Sequence, residues 1–289
     1  MAFERLSVGD LTAIIGDNGA HKSHRAGYNG LWSLKHASLD RNLFVPAYAG
    51  LNLEHIFDGA PPFDNDVFFE PRRAPMTLSR DDATRVTLHQ APTPSFELES
   101  WTRFELKPPH YIDMSFECRP HQHVFDHGYI GLFWASYMNA PLDKSFYFLG
   151  GAAPGQWLQY CTQFHNDQST VRSVNDSFEL TVSPGYRDAL FRNHSQLQYR
   201  MPFYYGYFED LVWIVMFDSK QLVRFSHSPS GGGFNAERRS ANPAWDFQLI
   251  IPEFEVPERY RLDVRALLRP RCSRDEILAE YTQWIDSRP

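Results

Sequence analysis

The stretch Tyr260-Arg261-Leu262-Asp263-Val264-Arg265-Ala266-Leu267-Leu268 decides the fold class. Tyr260, Leu262, Val264, Ala266 and Leu268 fall at every second position, with Arg259, Arg261, Asp263 and Arg265 between them. Successive side chains of an extended chain point to opposite faces, so this is a strand with one buried and one wet face. The same alternation recurs in Phe178-Glu179-Leu180-Thr181-Val182, in Trp245 to Leu249 around Asp246 and Gln248, and in Ile112 to Cys118 after the breaker pair Pro108-Pro109. Leu211-Val212-Trp213-Ile214-Val215-Met216-Phe217 is apolar throughout and rich in β-branched residues, which fits a central strand covered on both sides. Leu11 to Ile15 and Leu31 to Leu34 read as the first two strands. The 20 Pro and 17 Gly punctuate these runs at the short intervals that antiparallel sheets need.

One helix stands out. Ser273-Arg274-Asp275-Glu276 is a capping box, and Ile277, Leu278, Tyr281, Trp284 and Ile285 then form an apolar stripe at helical spacing. The pattern predicts one all-β domain over residues 1–289, a large antiparallel β-sandwich whose sheet is covered by a C-terminal helix at about 274–286.

Composition narrows the function classes. With 28 basic and 35 acidic side chains the net charge is −7, which argues against a nucleic-acid partner. The longest apolar run, Leu211 to Phe217, is far too short to cross a bilayer. Met1-Ala2-Phe3-Glu4-Arg5 has no secretory pattern, and Cys118, Cys161 and Cys272 are widely spaced, so the expectation is a cytoplasmic protein with free thiols and no membrane partner.

The order of features resembles the galactose-mutarotase-like supersandwich, the fold of aldose epimerases and of domains in many carbohydrate-active enzymes. Three stretches carry the resemblance: Leu11–Ile15 followed by Gly27-Tyr28-Asn29-Gly30-Leu31-Trp32-Ser33-Leu34; Pro46-Ala47-Tyr48-Ala49-Gly50-Leu51-Asn52-Leu53-Glu54-His55; and Trp101 to Pro120. It implies a carbohydrate ligand. The chain departs from the family in lacking an Asn-His-x-Tyr-Phe-Asn-Leu-like stretch, the source of the acid histidine in aldose epimerases. A clear counterpart of the C-terminal glutamate base is also missing.

Several constellations carry reactive groups. Arg119-Pro120-His121-Gln122-His123-Val124-Phe125-Asp126-His127 holds three imidazoles, and on an extended strand His121 and His123 share a face. With His127 they suit a divalent metal, or they donate to sugar hydroxyls. Asn52 and Glu54 share a strand face, with His55 on the other unless the chain turns; an amide beside a carboxylate matches a vicinal diol. Glu209, after the aromatic run Tyr204-Tyr205-Gly206-Tyr207-Phe208, and Asp246, on the polar face beside Trp245, are candidate general acids. Convergence of two among Glu54, Glu209, Asp218 and Asp246 gives paired-carboxylate chemistry. Arg224, His227, Arg238 and Arg239 flank Ser228-Pro229-Ser230-Gly231-Gly232-Gly233 and suit a carboxylate or sulfate on an acidic sugar. Asp64-Asn65-Asp66 with Glu70 offers oxygen ligands, and His165-Asn166-Asp167 is a polar loop without a pattern.

The functional expectation is an enzyme acting on a sugar by hydrolysis, elimination or epimerisation. The acid–base pair is drawn from His123 or His127 with Glu209 or Asp246. Trp32, Tyr48, Tyr147 and Tyr205 line the groove, and Asn52, Glu54, His55 and Arg238 contact the sugar. The alternatives are a non-catalytic saccharide-binding sandwich and a cupin-like metal enzyme built on His121, His123 and His127. The cofactor is open between none and a divalent metal.

Overall fold

The structure is a computed structural model. It describes residues 2–60, 65–153, 155–186, 190–218, 222–234 and 240–288, with the backbone alone at 65 and 66. The elements in chain order are β1 (Phe3–Val8), β2 (Leu11–Gly16), β3 (Gly30–His36), β4 (Asn52–Phe57), α1 (Asn65–Phe68), α2 (Glu70–Arg73), β5 (Met76–Arg80), β6 (Arg85–Gln90), β7 (Leu98–Lys107), β8 (Tyr111–Pro120) and β9 (Ile130–Ala135). There follow β10 (Phe146–Leu149), β11 (Trp157–Tyr160), β12 (Thr170–Ser173), β13 (His194–Tyr199), β14 (Phe203–Phe208), β15 (Leu211–Phe217), β16 (Leu222–Ser228), β17 (Ala244–Ile251), β18 (Tyr260–Pro270) and α3 (Arg274–Asp286).

Three sheets result among the described residues. β1-β2-β3 form a small one, a nine-stranded sheet runs β11-β10-β14-β15-β18-β8-β7-β6-β5, and a six-stranded sheet runs β13-β12-β16-β17-β9-β4. Pairing is antiparallel except between β12 and β13. The all-apolar β15 lies between β14 and β18 and is buried at every position, as a strand covered on both sides must be. The two large sheets share a core in which Phe116 meets Trp134 at 4.8 Å and Phe217 meets Phe247 at 4.8 Å, both edge-on. They approach closely because β14 carries Gly206: a Cβ there would sit 2.3 Å from the Trp245 indole of β17.

Three readings change. Leu11–Ile15 and Leu31–Leu34 belong to the second and third strands, since Phe3–Val8 precedes them; that strand buries only Leu6 and so shows no alternation. Among the described residues Phe178–Val182 pairs with no strand: its apolar side chains pack on the six-stranded sheet while its backbone joins no ladder. Asp246 and Gln248 are not on a wet face, because β17 is buried at all positions. α3 opens with Ser273 accepting from the Glu276 amide while the Glu276 carboxylate accepts from the Ser273 amide. Ile277, Tyr281 and Trp284 of α3 pack on Phe203, Tyr205, Ile214 and Met216, on the outward face of the nine-stranded sheet. Among the described residues no helix is long and apolar enough to cross a membrane.

Candidate functional site

The six-stranded sheet turns its second face away from the core, and a hollow of about 190 Å³ opens on it. Strand β4 delivers its carboxylate by an irregularity. Leu53 pairs with Trp134 and His55 with Phe133, so Glu54 is an extra residue in the ladder. Such a bulge re-aims side chains. It brings both Glu54 and His55 to the hollow, where strict alternation would have sent them to opposite faces. Across β9 from them, β17 contributes Ala244 and Asp246. Two of the four acids named from the sequence therefore converge, Glu54 and Asp246.

Their surroundings differ. Glu54, 6 % exposed, accepts from Asn52 Nδ2 at 3.2 Å and from the Tyr137 hydroxyl, and pairs with Arg72 at 3.4 Å. His55 Nε2 lies 3.5 Å from Glu54, while its Nδ1 donates to the Phe68 carbonyl at 2.8 Å. Asp246, 1 % exposed, accepts from the Ser136 amide at 2.9 Å and is paired with no cation among the described residues. Burial pushes its carboxyl well above the usual carboxylate range; the Ser136 amide opposes this and the nearby Glu54 charge adds to it. The site thus holds one ion-paired carboxylate and one that burial biases towards its protonated form. Phe68, Phe69, Phe133, Tyr137 and Phe191 supply apolar walls, and His165 and Asn166 reach it from the loop after β11. His165 Nδ1 bonds the Ser228 hydroxyl at 3.0 Å.

Other sequence candidates lie elsewhere. The chain leaves the strand at Pro120, so the period-two argument does not extend to the three imidazoles. His121 bonds Glu99 at 2.8 Å, His123 is exposed beside the Phe254 ring, and His127 bonds the Ser183 hydroxyl at 2.9 Å. Among the described residues no three His, Cys, Asp or Glu side chains group as a metal site, so the cupin-like reading on His121, His123 and His127 has no geometric basis. Glu209 sits in the β14–β15 turn and pairs with Arg41; Asp218 pairs with Arg288 at 3.2 Å.

The proposed aromatic groove does not form as one surface. Tyr147 and Tyr205 stack on each other at 5.2 Å beside α3, on the far side of the nine-stranded sheet. Trp32 stacks on His24 at 3.7 Å, and Tyr48 accepts from Arg25 at 2.7 Å. Asn52, fully buried, binds the Asn29 amide and Glu54, and so orients the site from behind. Arg238 and Arg239 lie outside the described residues, as do Asp64 and the side chains of Asn65 and Asp66.

Sequence reasoning missed Tyr137, Arg72 and the role of His165. The density of His165-Asn166-Asp167 was a usable signal. Nothing in the local sequence marks Tyr137 or Arg72, which reach Glu54 across 83 and 18 positions.

No protein-family model and no curated protein sequence matches this chain. Solved structures do. A candidate aldose 1-epimerase of Escherichia coli K12 is 9% identical with a TM-score of 0.54, over 93% of this chain and 99% of that one. The aldose epimerase homologue of C. elegans is 10% identical with a TM-score of 0.55, over 93% and 99%. The Slr1438 protein of Synechocystis sp. PCC 6803 is 10% identical with a TM-score of 0.54, over 93% and 96%. With two large β-sheets packed face to face, a hollow on the second face of one and a helix on that of the other, the chain has the galactose-mutarotase-like supersandwich fold.

Proposed function

We propose that this protein is a sugar epimerase that interconverts the anomers of a free aldose, with Glu54 as base and Asp246 as acid. One observation carries the reading: two buried carboxylates face the same hollow, Glu54 ion-paired to Arg72 and Asp246 paired with no cation among the described residues. Pairs of acids pushed apart by their environments are how a site runs base and acid chemistry at one pH. Glu54 takes the proton of the anomeric hydroxyl, the bond from C1 to the ring oxygen breaks, and Asp246 gives its proton to that oxygen. Rotation about the C1–C2 bond and the reverse transfers close the other anomer and restore both groups. Proton balance holds without a cofactor. Two features support the substrate class. The hollow is smaller than the ~300–1,000 Å³ typical of drug-sized ligands, which suits a single ring. Structural neighbours are described as aldose epimerases.

The test is polarimetry on freshly dissolved aldohexoses and aldopentoses. The expected result is faster approach to rotational equilibrium for at least one sugar. Glu54→Gln and Asp246→Asn should each slow it by ~10²–10⁴-fold, the usual weight of a positioned proton carrier. No acceleration for any aldose overturns the proposal.

A further inference from the structure

Asn52, Tyr137 and Arg72 all reach Glu54, and all three rest on one stretch of four residues. Asn52 Nδ2 donates to the Glu54 carboxylate at 3.2 Å, the Tyr137 hydroxyl donates to it, and Arg72 Nη1 lies 3.4 Å away. The stretch is Gly27-Tyr28-Asn29-Gly30, where the chain enters β3. Tyr28 serves two of the three. The Arg72 guanidinium lies 4.2 Å from its ring centroid, and the Tyr137 ring meets it edge-on at 5.6 Å. Asn29 serves the third: its backbone amide donates to Asn52 Oδ1 at 3.0 Å. A backbone N–H can only donate, so the Asn52 oxygen faces Asn29 and its nitrogen is left for Glu54. The Asn29 side chain grips the next residue of β4 in both directions, giving to the Leu53 carbonyl at 2.8 Å and accepting from the Leu53 amide at 3.1 Å.

The stretch is itself held from behind. The Tyr28 carbonyl accepts from Trp32 Nε1 at 2.8 Å and bonds His24 Nε2 at 2.7 Å, and the Gly27 amide donates to the Asn18 carbonyl at 2.8 Å. Gly27 has a φ of +88°, and a Cβ there would stand 3.0 Å from Arg72 Nε, so the backbone passes directly against the guanidinium. Phe69 lies 5.0 Å from the same group. A guanidinium is flat and stacks on aromatic faces, so the rings fix where Arg72 stands. Tyr28 and Asn29 are both buried, and neither lines the hollow.

We propose that Tyr28 is a positioning residue for Glu54, acting through Arg72 and Tyr137 while Asn29 of the same stretch sets Asn52. The inference rests on the reading of Glu54 as the base of the hollow. Glu54 is the extra residue of β4, where the ladder does not fix the direction of its side chain. Its direction is set by the donors around it, and the Tyr28 ring fixes two of them. A base must stay within hydrogen-bond reach of the proton it takes, and a misplacement of ~1 Å costs ~10²-fold in rate. Removing the ring therefore slows proton transfer far more than it weakens sugar binding, because Tyr28 is no part of the wall that a sugar meets.

The experiment is polarimetric measurement of kcat and KM for the wild type, Tyr28→Leu and Tyr28→Phe on the aldose that the wild type converts fastest. Tyr28→Leu should lower kcat by ~10–10²-fold and move KM by less than ~3-fold, the split expected when only the proton transfer is misplaced. Tyr28→Phe keeps the ring and should hold kcat within ~3-fold of the wild type. Arg72→Lys keeps the charge without the flat face, at a side chain 19% exposed, and should reproduce the loss. It decides alone if Tyr28→Leu does not fold. Wild-type kcat in Tyr28→Leu or in Arg72→Lys, a loss confined to KM, or an equal loss in Tyr28→Phe overturns the positioning role of the ring and leaves the hollow standing. If the wild type accelerates no aldose, the reading of the hollow itself fails and this inference falls with it.

Discussion

Both large sheets turn a second face away from the shared core, and the two faces end differently. The nine-stranded sheet presents Phe203, Tyr205, Ile214 and Met216, which α3 covers with Ile277, Tyr281 and Trp284. Beyond the helix its charges close on one another, Arg265 on Asp113 at 2.6 Å and Arg261 on Asp263 at 3.0 Å. The six-stranded sheet presents acids, amides and imidazoles, and its cover is the short α1 and α2 over β4 together with chain that joins no ladder. A helix satisfies its own backbone and can seal an apolar face. The short helices and irregular chain over the six-stranded sheet do not, and a hollow remains beneath them. Aromatic and acidic residues occur on both sides. Only the manner of covering separates a sealed face from a site.

The largest effect should come from unsealing the sealed face. Trp284→Ala removes a nearly buried indole from beneath α3 and should cost ~3–5 kcal/mol in denaturant unfolding. Turnover per folded molecule should stay unchanged; a parallel loss of turnover would show that the two faces are coupled.

On the open face the acids make stability depend on pH. Asp246 is raised in the folded protein, so it favours folding while protonated and costs stability as pH rises towards its folded value. Asp246→Asn should therefore unfold at higher temperature than the wild type at neutral and alkaline pH, and the two melting curves should draw together on acidification. A gap that widens in acid would reverse the assignment of Asp246 as the protonated partner.

His227 gives the opposite slope on the core-facing side of the same sheet, where its ring lies 5.7 Å from Phe146. It is fully buried, donates to the Lys144 carbonyl at 2.9 Å and accepts from Thr162, and burial lowers it to about 4. The unfolded chain takes up this proton near 6.5 and the folded chain only near 4, so stability falls as pH drops through that window. The fall should approach ~1.4 kcal/mol per pH unit from this group. His227→Gln should flatten that portion of the curve, read by urea unfolding at a series of pH values.

The smallest expected effect is again on the helix. Ser273→Ala deletes the cap of α3 and should cost ~1 kcal/mol, with no change in sugar binding. A fall in affinity would mean that the helix start communicates with the hollow.

Much of the sandwich was legible along the chain. The alternation in Tyr260–Leu268 and Ile112–Cys118 and the apolar run Leu211–Phe217 identify β18, β8 and β15, because a residue's face in a strand follows from its parity. Capping chemistry at Ser273 is equally local. Alternation misled at Phe178–Val182, where side chains alternate between sheet and solvent without a backbone partner. Parity also failed at Glu54, where one extra residue in the ladder turns His55 to the side of the acid.

By itself, then, the sequence determined the class of fold, the strands that build the core and the acids Glu54 and Asp246 as candidates. Tertiary structure alone decided which acids meet: Glu54 and Asp246 share a hollow, while Glu209 and Asp218 are taken up by Arg41 and Arg288. The physical reason is range. Strand parity and helix capping act between residues a few positions apart. Desolvation, ion pairing and the closing of a hollow depend on neighbours such as Tyr137, 83 positions from Glu54, whose approach is fixed only once the sheets have packed.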